Sequence, residues 1–193
     1  MEEAANLNHP LFERVRFLSI TADVLDQFYS VRVAKLRQSV ARHDGYVTQD
    51  GLTAAQQLKL VSQKASDLMN AQQASWADLQ AELNNNNIYF PDHESLSPED
   101  KDWLSRYFRS RFLHVLTPFT IDEEHPFPFI PSGGLCAILE LQDGFILLPL
   151  PANLARFIAL PGTTHRFVTA ESLIDLCWQD IVPDGELRSC GVF

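Results

Sequence analysis

Side chains suited to capping, anion binding or metal ligation cluster at a few points along the chain. Thr21, Asp23 and Asp26 stand just ahead of, or within, an apolar run that repeats at helical spacing. Either Thr21 or Asp23 could cap a helix, and Asp26 would then lie in its first turn, where a carboxylate suits the positive end of the dipole. A helix opening there after a tight turn is expected to offer its N-terminus to something polar or anionic. Arg106, Arg109 and Arg111 could gather a phosphate, although arginines spread around a helix are more often solvated or paired with surface acids. Asp122, Glu123, Glu124 and His125 are contiguous and chemically suited to a metal ion. They lack the i, i+4 spacing of helical zinc motifs, and the prolines that follow favour a rigid extended loop, so no metal site is expected. His9, beside Pro10, is read as structural.

The lone Ser, Cys and His residues carry no local signature of a nucleophile motif. Cys136, Cys177 and Cys190 are odd in number, widely separated and in no C-x-x-C arrangement. Free thiols and a reducing cytoplasm are expected. No Gly-rich phosphate loop, G-x-G-x-x-G or G-x-S-x-G is present. The net charge of −10 opposes nucleic acid, anionic membranes and phosphate polyanions unless the positive charge is concentrated locally. No apolar run reaches the ~20 residues needed to span a bilayer.

These groups must be positioned by a few elements. Leu25, Tyr29, Val33, Leu36 and Val40 recur at spacings of four, four, three and four, with Phe28 widening the stripe, so Phe17 to Arg37 should hold a packed helix. Gln27, Arg32, Lys35 and Arg37 fall between them. The Asp-Gly pairs of Arg42 to Thr53 mark a loop. Thr53 and Gln56 form a capping box that opens a second long helix, with core positions Leu58, Val61, Ala65, Leu68, Gln72, Ser75 or Trp76, Leu79 and Leu83. Antiparallel packing on the first helix is the economical arrangement. Asn84 to Asn87 should end it and mark a domain boundary, giving parts 1–87 and 88–193.

In the second part, Ser97-Pro98-Glu99-Asp100 starts a helix expected to reach about His114. Cys136–Leu141 and Phe145–Leu150 should pair as a hairpin across Gln142-Asp143-Gly144. Phe167-Val168 reads as a brief strand, and Ala170 to Asp180 as one amphipathic helix. The fold class is α+β: a helical part with antiparallel long helices, then a partial α+β head.

The run HPLFERVRFLSI…LDQFYSVRVAKL resembles the N-terminal signature of the long multidomain bacterial polyphosphate kinases. Pro10, Leu11, Glu13, Arg14, Phe17, Leu18, Ile20, Leu25, Asp26, Phe28, Val31 and Arg32 fit in register. The likeness continues in LTPFTIDEEHPFPFI, LPANLARFIALPG and RFVTAESLI.

That resemblance implies an ATP–polyphosphate phosphotransferase acting with Mg2+ through a phosphohistidine. The family's catalytic histidines and its magnesium- and phosphate-binding residues match no stretch of this chain. The chain would serve nucleotide contact and subunit association in a homo-oligomer, with ATP and polyphosphate as partners of the intact cytoplasmic enzyme, peripheral to the inner membrane at most. Its start inside an element and its end in mid-domain are expected to leave strand edges open at Phe145, Ile146, Leu147 and Leu148. In the family, the second asparagine of an N-N-L-D-E-F element contacts adenine. Here that position is Val24, preceded by Asp23, so strong binding of ATP or Mg2+ is not expected. The other reading is a non-catalytic remnant or interaction module that kept the packing surfaces alone.

Overall fold

In the computed structural model, residues 1–42, 45, 47, 51–121, 127–131, 133–162 and 165–192 are described. The chain divides into two compact units, Met1–Asn86 and Asn87–Phe193. The class is α+β.

The first unit is helical. A short helix α1 (Glu2–Ala5) precedes α2 (Leu11–Phe28), which runs through a π-helical turn (Tyr29–Val33) into α3 (Ala34–Arg42). The expected turn at Thr21 to Asp23 does not form. No glycine or proline interrupts residues 11–42, and Thr21 spends its hydroxyl inside the helix. It donates to the Leu18 carbonyl at 2.7 Å and accepts from Gln72 Nε2 at 2.9 Å. A threonine so engaged is a mid-helix residue, not a cap. The helix start lies at Pro10 instead, where a missing N–H costs nothing.

The apolar stripe explains the π turn. Spacings of four and four from Leu25 to Val33 overrun a period of 3.6 residues, and a wider turn absorbs the surplus. Val33 is buried at 3% exposure, while Leu25, Tyr29 and Leu36 are half-buried. Val40 and Phe28 lie at the exposed margin.

Helix α4 (Ala54–Asn85) begins at the predicted capping box. Gln56 N–H donates to Thr53 Oγ1 at 3.3 Å, and Thr53 N–H donates to Gln56 Oε1 at 2.9 Å. Every core position anticipated along it is buried or half-buried. It packs antiparallel to α2 and α3: Arg14 meets Glu82, Thr21 meets Gln72, and Phe28 and Val61 line common cavities. The asparagine run ends the helix, with Asn87 taking φ of 62°, a conformation asparagine tolerates.

The second unit places α5 (Pro98–Arg111) and α6 (Ala170–Leu176) against two sheets. Ser97 caps α5 by accepting from the Asp100 N–H at 3.2 Å, with Pro98 at the first helical position. This helix stops at Arg111, earlier than expected, because Phe112 to Leu116 tighten into further turns. One sheet has the order β1-β6-β5, from Ile88–Tyr89, His165–Thr169 and Phe157–Ala159, with β1 and β6 parallel. The other has the order β2-β4-β3-β7, from Phe119–Ile121, Gly144–Pro149, Cys136–Leu141 and Leu187–Val192. The β3–β4 hairpin turns across Gln142-Asp143, with Gly144 at φ of 147°, a conformation that favours glycine.

Two expectations fail here. Phe145 to Leu148 have no open edge: β4 is hydrogen-bonded on both sides, to β2 and to β3, and Leu147 and Leu148 are fully buried. The segment ending at Val192 supplies β7, which covers the far side of β3. The terminal amphipathic helix is also two pieces, α6 and α7 (Trp178–Ile181), broken at Cys177 (φ −112°, ψ 18°). The apolar positions Leu173, Ile174 and Cys177 are nevertheless buried as anticipated. Arg166 on β6 grips Asp100 in the first turn of α5 with bonds of 2.7–2.9 Å, tying that sheet to the helix.

The cysteines are thiols held in this packing. Burial is the main cause that pushes Cys177 and Cys190 up to about 11 from 9.0, and it raises Cys136 as well. Raised folded-state values mean that the unfolded chain ionises first. The thiol contribution to stability is therefore intact below pH 9 and is lost as pH rises toward 11. Native protein at pH 8 should leave Cys136 and Cys177 unlabelled by a small thiol reagent, with all three cysteines reacting after denaturation. Rapid native labelling of Cys177 would contradict its burial.

Candidate functional site in the helical unit

The candidate site lies along the α2–α4 seam. Its alignment is set by Arg14, which is buried at 6% exposure. Arg14 Nε donates to the Ala4 carbonyl at 3.0 Å, and Nη1 donates to both Glu82 carboxylate oxygens at 2.8 Å. One guanidinium thus joins α1, α2 and α4. Nearby, His9 Nε2 lies 2.7 Å from Glu3 Oε2 and its ring tilts onto Phe17 at 5.1 Å. That hydrogen bond is the main cause holding the Glu3 carboxyl below its usual value. His9 fastens α1 in place, the structural role expected of it.

Further along the seam, a cavity of about 480 Å³ opens between α2 and α4. Ile20, Val24, Leu25 and Phe28 form one wall, and Val61, Ala65 and Leu68 the other, with Lys64 at the rim. Its lining is apolar apart from Thr21 and Lys64, the chemistry of a pocket that accepts a flat or greasy group. Val24 therefore lies on the wall of this cavity, on the flank of a helix and 59% exposed. Asp23 is exposed and is not among the residues lining the cavity. Both lie mid-helix, so neither sits beside unpaired N–H groups, and the anion-binding helix start anticipated there is absent.

A second groove, of about 620 Å³, adjoins the first and shares Phe28 and Val61 with it. Arg32, Lys35 and Arg42 line it. In the sequence Arg32 and Lys35 stand out only as polar residues between the apolar positions of the first helix. A usable signal was there: residues 32–64 hold six lysines and arginines against two acids, in a chain of net charge −10.

The other candidates dissolve into structural roles. Arg106 pairs with Asp102 at 2.7 Å, and Arg109 grips Asp180 with bonds of 2.9 and 3.0 Å. Arg111 is exposed. These arginines do not form a phosphate cluster. Asp122, Glu123, Glu124 and His125 lie outside the described residues. Among the described residues, no group of His, Cys, Asp and Glu could hold a metal ion, and no helix is long and apolar enough to cross a membrane.

The polyphosphate kinase N-terminal domain matches residues 1–91, and the polyphosphate kinase middle domain matches residues 99–193. The chain belongs to the polyphosphate kinase family. Over its whole length it is 35% identical to a polyphosphate kinase of Erythrobacter litoralis and 31% identical to one of Burkholderia cenocepacia. It spans 28% and 30% of the length of those two proteins. A crystal structure of polyphosphate kinase from Porphyromonas gingivalis shares the fold, with a TM-score of 0.83 at 23% identity, covering 99% of this chain and 30% of that one. The α+β architecture is therefore the family's.

Continuity of α2 through Asp23 and Val24 is directly testable. Amide exchange at Ala22, Asp23, Val24 and Leu25 should be slowed to the level of neighbouring helical residues. Fast exchange confined to these four amides would restore the helix start expected from the sequence.

Proposed function

We propose that this chain is the N-terminal portion of an ATP–polyphosphate phosphotransferase, serving nucleotide contact and subunit association. The observation that carries the reading is the succession of the family's N-terminal and middle domains along nearly the whole chain. The apolar cavity that Val24 lines supports the nucleotide reading, since an adenine ring suits an apolar slot of this volume. Phe12 and Val31, left 65% and 61% exposed on the helical unit, support a role in association. The intact enzyme would move the terminal phosphate of ATP onto polyphosphate through a phosphohistidine, with Mg2+ bound outside these residues, in the cytoplasm.

The position that touches adenine in the family is an asparagine, and here it is Val24. A valine side chain neither donates to nor accepts from a base edge. Losing a neutral hydrogen bond costs about 1 kcal/mol, roughly a fivefold change in affinity. Asp23 could accept from the adenine amino group, but its charge would face a negative triphosphate. ATP affinity at this wall is accordingly weak. Val24→Asn is a clean probe, because valine and asparagine have similar helix propensities and the site is exposed. Calorimetric titration should show the variant binding ATP about fivefold more tightly. Tight binding by the unaltered chain, with no change in Val24→Asn, would remove the base from this cavity.

Phosphoryl transfer needs an activated nucleophile and cations aimed at the developing charge. Incubated with ATP and Mg2+, the 193-residue chain should form no acid-labile phosphohistidine and no polyphosphate. Label on any of its six histidines would place chemistry within these domains.

A further inference from the structure

We propose that the cavity between α2 and α4 takes a 6-oxo purine, guanine or hypoxanthine, in preference to adenine, and that Lys64 makes the choice. This selectivity presupposes the nucleotide contact proposed above, and it is carried by a residue on the wall opposite Val24.

A base edge is read by hydrogen-bond donors and acceptors, and the side chains lining the cavity hold few of either. The aliphatic and aromatic groups of both walls offer none. Thr21 is the one hydroxyl, and it is committed: its proton goes to the Leu18 carbonyl at 2.7 Å, and its oxygen accepts from Gln72 Nε2 at 2.9 Å. The lone pair left to it can accept one neutral hydrogen bond. The Met1 sulfur, 3.6 Å from that oxygen, is a weak acceptor. Asp23, a stronger one, does not line the cavity. Lys64 differs from all of these. It stands exposed at the rim and pairs with no carboxylate among the described residues. Its ammonium has three protons to give and nothing with which to accept.

Purines separate on that single kind of donor. Along the edge formed by N7 and the 6-substituent, guanine and hypoxanthine present two acceptors, N7 and O6. Adenine presents N7 beside an amino group, which is itself a donor. An ammonium meets O6 and N7 with charge-assisted bonds, about twice as strong as neutral ones. Against adenine it gains N7 alone and faces the partial positive charge of the amino protons. The side chains matched to adenine are Asn and Gln, which donate to N7 and accept from the amino group. The cavity lining holds neither: Val24 is apolar, and Gln72 donates to Thr21 from outside the lining. Ala65, next to Lys64, is small and buried, so the slot stays open opposite Val24. A flat ring lying between those two walls turns one edge to the rim, where Lys64 stands.

The test is calorimetric titration of the 193-residue chain with ATP, GTP and ITP at one salt and one Mg2+ concentration. GTP and ITP should each bind about fivefold more tightly than ATP, the lower end of what such a contact gives, because Lys64 is exposed. Lys64→Met keeps the length of the side chain and the helix propensity. It should bring GTP and ITP to the ATP value and leave ATP nearly unchanged. Lys64→Arg, which keeps the donors, should retain the preference. Circular dichroism checks the helix in each variant. ITP lacks the 2-amino group, so tighter binding of GTP alone would assign the choice to that group and overturn the role of Lys64. Equal loss of all three nucleotides in Lys64→Met would place the ammonium on the phosphates and overturn it too. ATP binding as tightly as GTP and ITP would overturn the selectivity while leaving the nucleotide contact standing. Binding of none of the three would overturn both.

Discussion

A single buried guanidinium sets the geometry of the helical unit. Arg14 has little contact with solvent, and it satisfies itself on the Ala4 carbonyl and on both oxygens of Glu82. A buried arginine without those partners would be costly, so the helices must meet in the one alignment that supplies them. Once Arg14 faces Glu82, antiparallel geometry brings Thr21 to Gln72 and then Phe28 to Val61. Both cavities lie farther along that same seam.

The seam itself is narrow. Its buried side chains are few and several are small: Ala4, Val33, Ala54, Ala65, Leu79 and Leu83. Small residues bring the helices close but cover little, and so Ile20, Val24 and Phe28 are left partly in solvent around an open cavity. The second unit is built otherwise. Its core of Leu104, Phe108, Phe112, Leu139, Leu148, Leu173 and Ile174 is closed by sheets and helices together. A unit with a thin core and open grooves suits contact with ligands, and one with a closed core suits a scaffold.

Much of this was legible in the sequence, for identifiable reasons. The capping box at Thr53 and Gln56, the core spacing of α4 and the Asp-Gly hairpin rest on interactions between residues close in sequence, and each was found where local chemistry placed it. The start of α2 was misread because Thr21 and Asp23 are good caps, while the partner that engages Thr21 is Gln72, distant in sequence. The same limit hid the placement of β4 between β2 and β3, since the apolar run Phe145 to Leu148 looks alike at an edge or in the middle of a sheet. The basic groove escaped notice because net charge averages over the chain, and the Arg14 clamp because a buried arginine looks like any surface arginine until its carboxylate is found.

The alignment of α2 on α4 by Arg14 and Glu82 is tested most directly by a double-mutant cycle. Arg14→Met and Glu82→Gln, singly and together, would be unfolded in denaturant with Trp76 fluorescence as the readout, in a background where Trp103 and Trp178 are phenylalanine. Because the Glu82 side chain is 39% exposed, the coupling should fall below that of a fully buried pair, at about 1–2 kcal/mol. Losses that simply add, with coupling near zero, would mean that the helices find their alignment without this clamp.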